Sequence, residues 1–118
     1  MNTTLFNEIV IYYPEGRISN DMKDNLEFFL LQLVNNYSNC DLIVNMEDVP
    51  SISSACVEVL LYVSQIVQSM GRTMTISRPR DLVKRILSML SIGDAIPMYA
   101  TEDEAIAELM PWMAERCH

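Results

Sequence analysis

Ser51, Ser53 and Ser54 stand close together in PSISSACVEVLL (Pro50 to Leu61), with almost nothing else polar around them. A serine hydroxyl in such a place can serve as a nucleophile, a helix cap or a phosphate acceptor. Nucleophilic attack needs a base, and the single histidine is His118 at the C-terminal end. Neither a Ser-His-Asp nor a Cys-His arrangement therefore has a credible base. Capping and phosphate acceptance remain. Ser53, just before an apolar helical pattern, reads as the N-cap. Ser54, one residue inside the helix, is the candidate acceptor, and Ser51 reads as a turn residue.

Other chemistries find little support. Three isolated glycines form neither a phosphate-cradling GxxxxGK loop nor a dinucleotide-binding GxGxxG turn. Asp41, Glu47 and Asp48 form a small acidic group near a strand end. Such a group could hold Mg²⁺ and accept phosphate if a Lys followed a later strand, but Ser77-Arg78-Pro79 stands there instead. These carboxylates read as solvated loop residues. Cys117 and His118 are adjacent on the terminus, a weak metal site. The nine methionines read as core packing. The expectation is a protein without catalytic residues, cofactor or metal.

Bulk properties narrow the partners. The chain has 118 residues, half of them hydrophobic, and a net charge of -8. That suits one domain over 1–118 with a real core. The acidity argues against nucleic acid and against an anionic membrane surface. No basic, apolar leader opens the chain, and no run reaches the roughly 18 apolar residues of a span. The segment nearest to one, Val57 to Met70, contains Glu58, Gln65 and Gln68. Cysteines 40, 56 and 117 are odd in number and far apart, as expected of reduced thiols in a cytoplasmic protein.

The elements that must position the serines follow from periodicity. Glu8 to Tyr13 is β-branched and aromatic and reads as a strand, with Thr3 to Phe6 as a short partner. Ser19 or Asn20 can cap a helix from Asp21 to Tyr37. Its apolar residues Met22, Leu26, Phe29, Leu30 and Leu33 are widened by Phe28, Leu31 and Val34, which fits a helix sunk deep in the core better than a partly exposed apolar surface that meets a partner. Asp41 to Met46 reads as a central buried strand. A helix follows from Ser54 to Met70, ended by Gly71 as a left-handed C′ residue. Thr73 to Ile76 is the next strand, and Pro79 opens a helix through Leu90. Ile96 to Tyr99 is a last strand. Thr101 with Glu104 makes a capping box for a helix continuing to Met113. Alternation of this kind predicts an α/β fold, a mixed sheet of four or five strands with helices mainly on one face. Val59, Leu60, Val63 and Ile66 should be buried together with Ile43 and Ile76.

The stretch VNMEDVPSISSACVEVLL, ending at Leu61, resembles the central segment of STAS domains, the family of bacterial anti-sigma factor antagonists. There a strand and an Asp-led turn lead to Asp-Ser-Ser-Gly at the start of a helix. An ungapped match puts Ser53 on the Asp, Ser54 on the serine that a partner kinase phosphorylates, Ala55 on the second serine and Cys56 on the glycine. EGRISND is similar to the family's turn before the first helix. ISRPRDLVKRILSMLSIGDAI is similar to its strand, Pro and amphipathic helix, and YATEDEAIAEL to its terminal helix.

The resemblance implies a protein-binding switch. An anti-sigma factor or related serine kinase binds the unmodified chain, phosphorylation at Ser54 breaks the contact, and a phosphatase restores it. ATP would belong to the kinase. The implied partner surface comprises Asp48, Ser51, Ser53, Ser54 and Glu58, with Ser19 and Asn20 from the neighbouring loop. The alternative is an accessory subunit of a transporter or lipid-transport ATPase, without phosphorylation. The sequence leaves a homodimer open.

Overall fold

A computed structural model describes residues 2–110 of the chain. Five strands form one mixed sheet in the order β1-β2-β3-β4-β5: Asn2–Phe6, Ile9–Tyr13, Asp41–Asn45, Met74–Ser77 and Met98–Tyr99. β1 is antiparallel to β2, and every later pairing is parallel. Asn7, in the two-residue turn between β1 and β2, has φ 54°. That left-handed geometry suits a tight hairpin, and Asn tolerates it better than most residues.

Each later strand follows a helix, as parallel pairing requires. The helices are α1 (Lys23–Asn36), α2 (Ser54–Ser69), α3 (Asp81–Met89) and α4 (Glu102–Leu109). The two-residue period of the strands divides the core. Val10, Tyr12, Leu42, Val44, Met74 and Ile76 meet the buried stripes of α1, α2 and α3. Ile9, Ile11 and Ile43 point the other way, toward Ala105 and Met110. The mixed five-stranded sheet with helices mainly on one face is therefore the architecture observed; among the described residues, α4 is the one helix on the opposite face.

Several local expectations need correction. Ile43 is buried, but not with Val59, Leu60, Val63 and Ile76, because it alternates with Leu42 and Val44. Ile66 is only partly buried. Helix α1 is a surface helix. Leu26, Leu30, Leu33 and Val34 are buried, whereas Phe28 is 66 % exposed. Phe29 leans on Tyr12, with ring centroids 4.8 Å apart. A 3₁₀ turn, Asn20–Met22, precedes α1, and neither Ser19 nor Asn20 caps it: the Ser19 hydroxyl donates to Asp21 Oδ1 instead. Pro79 lies before the N-cap residue Arg80, outside α3. β4 runs to Ser77, one residue beyond expectation. β5 is limited to Met98–Tyr99, consistent with Pro97 having no N–H for the ladder.

Local chemistry holds where the sequence was most explicit. Gly71, at φ 75°, closes α2, with its N–H donating to Gln68 O and that of Arg72 to Val67 O. These are the paired bonds of a Schellman end. Thr101 Oγ1 accepts from Glu104 N at 3.1 Å and caps α4. The expected run of α4 to Met113 is cut short: the helix ends at Leu109, and Met110 is a C-cap with non-helical backbone (φ -133°, ψ 64°). The Cys117-His118 pair lies outside the described residues.

Candidate functional site

The loops after β2 and β3 leave the sheet side by side. Gly16 N donates to Asp48 O at 2.9 Å, Ile18 N to Ser51 O at 3.0 Å and Ser53 N to Ile18 O at 2.8 Å. The parallel ladder thus continues past the strand ends. Gly16 has φ 82°, a left-handed conformation that a side chain would strain. Buried Ile18, Val49 and Ile52 pin both loops to the main core.

This ladder delivers the chain to α2. Ser53 sits at the N-cap with extended backbone (φ -79°, ψ 155°), and its Oγ accepts from Cys56 N at 3.2 Å. The capping role read from the sequence is therefore present. Replacing Ser53 with Ala should cost about 0.5–2 kcal/mol in urea denaturation, because a first-turn N–H loses its acceptor. A loss within error of zero would mean that the cap does not contribute.

Ser54 is the first residue of α2 and is exposed. Glu58, four residues on and therefore on the same helix face, is exposed as well. Asp48, Ser19 and Asn20 are exposed, and Ser51 and Ser53 are half-buried. The loop ladder gathers these residues at one end of the domain, above the carboxyl ends of the parallel strands. Cys56 contributes a contact that the sequence did not signal. Its buried Sγ lies 3.3 Å from Ser19 O, tying the first loop to α2.

A third loop braces the second. Arg78 Nη2 lies 3.2 Å from Glu47 Oε1, and Arg80 Nε donates to Glu47 O at 2.7 Å. Arg78 adopts φ 52°, an uncommon conformation for a non-glycine residue, while its N–H donates to Tyr99 O. In SRPR the sequence showed a missing Lys and a Pro before a helix but not this brace; two arginines at a strand end were the available signal. From the α4 side, Glu102 Oε1 accepts from Tyr13 OH at 2.7 Å and from Asn45 Nδ2 at 3.1 Å. Asn45 Oδ1 in turn accepts from Glu47 N at 2.9 Å. Burial, helped by the Glu102 carboxylate, pushes the Tyr13 hydroxyl up to about 12, so it remains a protonated donor.

The acidic group read from the sequence comes apart. Asp41 is at the amino end of β3, 3.5 Å from Arg72 Nε, and accepts from Thr73 N. Glu47 and Asp48 follow the carboxyl end of the same strand. The length of the extended strand separates them, and Asp41 and Glu47 are ion-paired rather than simply solvated. Among the described residues, no group of three or more His, Cys, Asp and Glu is placed to hold a metal. Cys40 and Cys56 are free thiols. Burial pushes the Cys40 thiol up, with Arg72 pulling against it, which disfavours the reactive thiolate. The geometry is that of an exposed surface on braced loops, with the Ser54 hydroxyl at a helix start.

A family model described as "STAS domain" matches residues 1–105. No curated protein matches the chain. Among solved structures, a putative anti-sigma factor antagonist from Thermotoga maritima is similar at 21 % identity and TM-score 0.83, covering 92 % of each chain. The phosphorylated form of the Bacillus cell fate determinant SpoIIAA is similar at 16 % identity and TM-score 0.67, covering 91 % of this chain and 96 % of that one. The STAS domain of a SulP transporter from Vibrio cholerae is similar at 19 % identity and TM-score 0.74, covering 95 % and 88 %. At these identities the likeness is one of fold.

Proposed function

The chain belongs to the STAS domain family, and from that premise we propose that it is a non-enzymatic, cytoplasmic regulator that binds an anti-sigma factor or related serine kinase and is switched by phosphorylation of Ser54. One observation carries the reading. Ser54 is exposed at the start of α2, with Glu58 one turn on, and the other residues of the expected contact surface lie on the neighbouring loops, which Cys56, Arg78 and Arg80 brace. A phosphate there would meet the free N–H groups and positive dipole end of a 16-residue helix. It would also add about -1.5 to -2 charge to a surface holding Asp48 and Glu58, and a partner packed on that surface would be repelled. A separate phosphatase would restore binding.

The test is incubation with a candidate anti-sigma-factor-type serine kinase and Mg-ATP, followed by mass spectrometry and a binding titration of both forms. Stoichiometric phosphate on Ser54 with loss of binding supports the switch; full occupancy with unchanged binding removes it. The isolated chain should not bind Mg-ATP. Calorimetry showing micromolar affinity would contradict a role in which the nucleotide belongs to the kinase.

A second reading rests on a specific observation. Where the family pattern has Asp-Ser-Ser-Gly, this chain has Ser53-Ser54-Ala55-Cys56, and buried Cys56 locks the position that glycine would leave mobile. With the likeness to a transporter's STAS domain, this favours an accessory subunit of a transporter or lipid-transport ATPase, bound through the same surface without phosphorylation.

A further inference from the structure

The sheet has two outer strands, β1 and β5. An outer strand offers a row of N–H and C=O groups to any extended chain, and proteins blunt such edges with shortness, proline, charge or a bulge. β5 is blunted, with two residues that follow Pro97. β1 is not. Asn2–Phe6 holds no charge and no proline, and its five pairs with β2 run without a bulge. Among the described residues it pairs with β2 alone.

The register fixes which groups face outward. A two-residue turn closes on a hydrogen-bonded pair, here Phe6 and Ile9. Every second pair then bonds in the same way, Thr4 with Ile11 and Asn2 with Tyr13. Thr3 and Leu5 turn their N–H and C=O groups away from β2, toward the outer edge. The side chains alternate as well. Leu5 stands opposite Val10, on the face of α1, α2 and α3, and Phe6 opposite Ile9, on the face of α4. Neither is fully covered: Leu5 is 56 % and Phe6 38 % exposed.

We propose that β1 pairs antiparallel with β1 of a second copy, about a two-fold axis at Thr4, and so joins two sheets into one. In this register Thr3 of each copy faces Leu5 of the other, and each such pair exchanges both backbone hydrogen bonds. Other registers waste outward groups. Centring on Leu5 would set Thr3 against Asn7, whose φ of 54° belongs to the turn, and centring on Thr3 would set Leu5 against a residue outside the strand. With the axis at Thr4, the two Leu5 side chains become diagonal neighbours on one face. Charge selects a second copy for this edge. Two chains of net -8 repel through most of their surface, whereas β1 is uncharged, and Glu8 just beyond it lies 3.7 Å from Arg72. The pairing also closes on itself. Each copy covers the other's long edge, so only the blunted β5 edges remain, whereas an unrelated extended peptide would leave its own far edge open. The contact is short, so the dimer exchanges with monomer.

The test is sedimentation equilibrium of the full chain up to about 1 mM. Wild type should dimerise with a dissociation constant at or below about 100 μM. Leu5→Lys places a charge on the edge, and Thr3→Pro deletes an outward N–H while leaving the bonds to β2. Each should weaken the dimer at least about tenfold. Melting curves show whether the variants fold, and Leu5→Lys, at a side chain already exposed, decides the matter if Thr3→Pro does not. Ser54→Asp should leave the dimer unchanged, which separates this edge from the switch. A monomer at about 1 mM would overturn the proposal, whether or not an added extended peptide then pairs with β1. So would a dimer that neither edge variant weakens, a dimer lost with Ser54→Asp, or growth beyond two copies.

Discussion

Ser54→Asp should weaken binding to the cognate kinase or anti-sigma factor at least tenfold, about 1.4 kcal/mol, while the melting temperature stays within a few degrees of wild type. The two halves of this expectation have different causes. Ser54 opens α2, where a negative charge faces free N–H groups and the helix dipole, so the fold should gain roughly 0.3–1 kcal/mol if anything. The contact surface has no such compensation. Ser54 is exposed, Glu58 lies one turn further on the same face, and Asp48 stands on the adjoining loop. A carboxylate placed in a packed contact there must be desolvated beside like charges. Ser53→Asp should be milder, since Asp keeps the N-cap and its oxygens are directed at the first-turn N–H groups. Isothermal titration of wild type and both variants against the partner decides the matter. Equal affinity for wild type and Ser54→Asp, with no phosphate found on Ser54 after kinase treatment, would move the assignment to the transporter-accessory reading.

Leu60→Ala should cost about 2–5 kcal/mol and lower the melting temperature by roughly 8–20 °C. Leu60 is 1 % exposed on α2 and shares the main core with Val59, Val63 and Ile76. Truncation removes buried methyl groups and leaves a void that well-packed neighbours refill only in part. The contrast is Tyr62→Ala on the same helix. Tyr62 is half-exposed, and its loss should stay within about 0.5 kcal/mol. Urea denaturation of the two variants checks both values. A loss below about 1 kcal/mol for Leu60→Ala would mean that α2 is not packed as described. Because α2 carries Ser53 and Ser54, such a result would also weaken the placement of the candidate site.

The limits of α2, its capping serine and the strand pattern around it were legible in the sequence because they rest on neighbours a few residues apart. Ser53 caps through Cys56 N, three residues on, and Gly71 closes the helix through Gln68 and Val67. The sequence thereby determined that the candidate hydroxyl stands at the start of a helix, while its exposure was decided by the fold. It could not choose between the faces of β3. Leu42, Ile43 and Val44 are all apolar, so periodicity carries no information about which meets α2 and which meets α4. That division follows from the crossovers, which place α1, α2 and α3 on one side, and from α4, which follows the last strand and packs on the other. Tertiary structure alone decided that Asp41 pairs with Arg72 and that Cys56 ties down the Ser19 loop. It also decided that Arg78 and Arg80 grip the loop after β3, and that among the described residues the outer edge of β1 stays unpaired. The loop contacts depend on residues 37 positions apart (Ser19 and Cys56) and 33 apart (Glu47 and Arg80) being brought together by parallel pairing, whose crossovers separate the partners by a dozen or more residues. A helix cap is written in the order of the chain. A contact between loops exists only after the sheet has set its strands side by side.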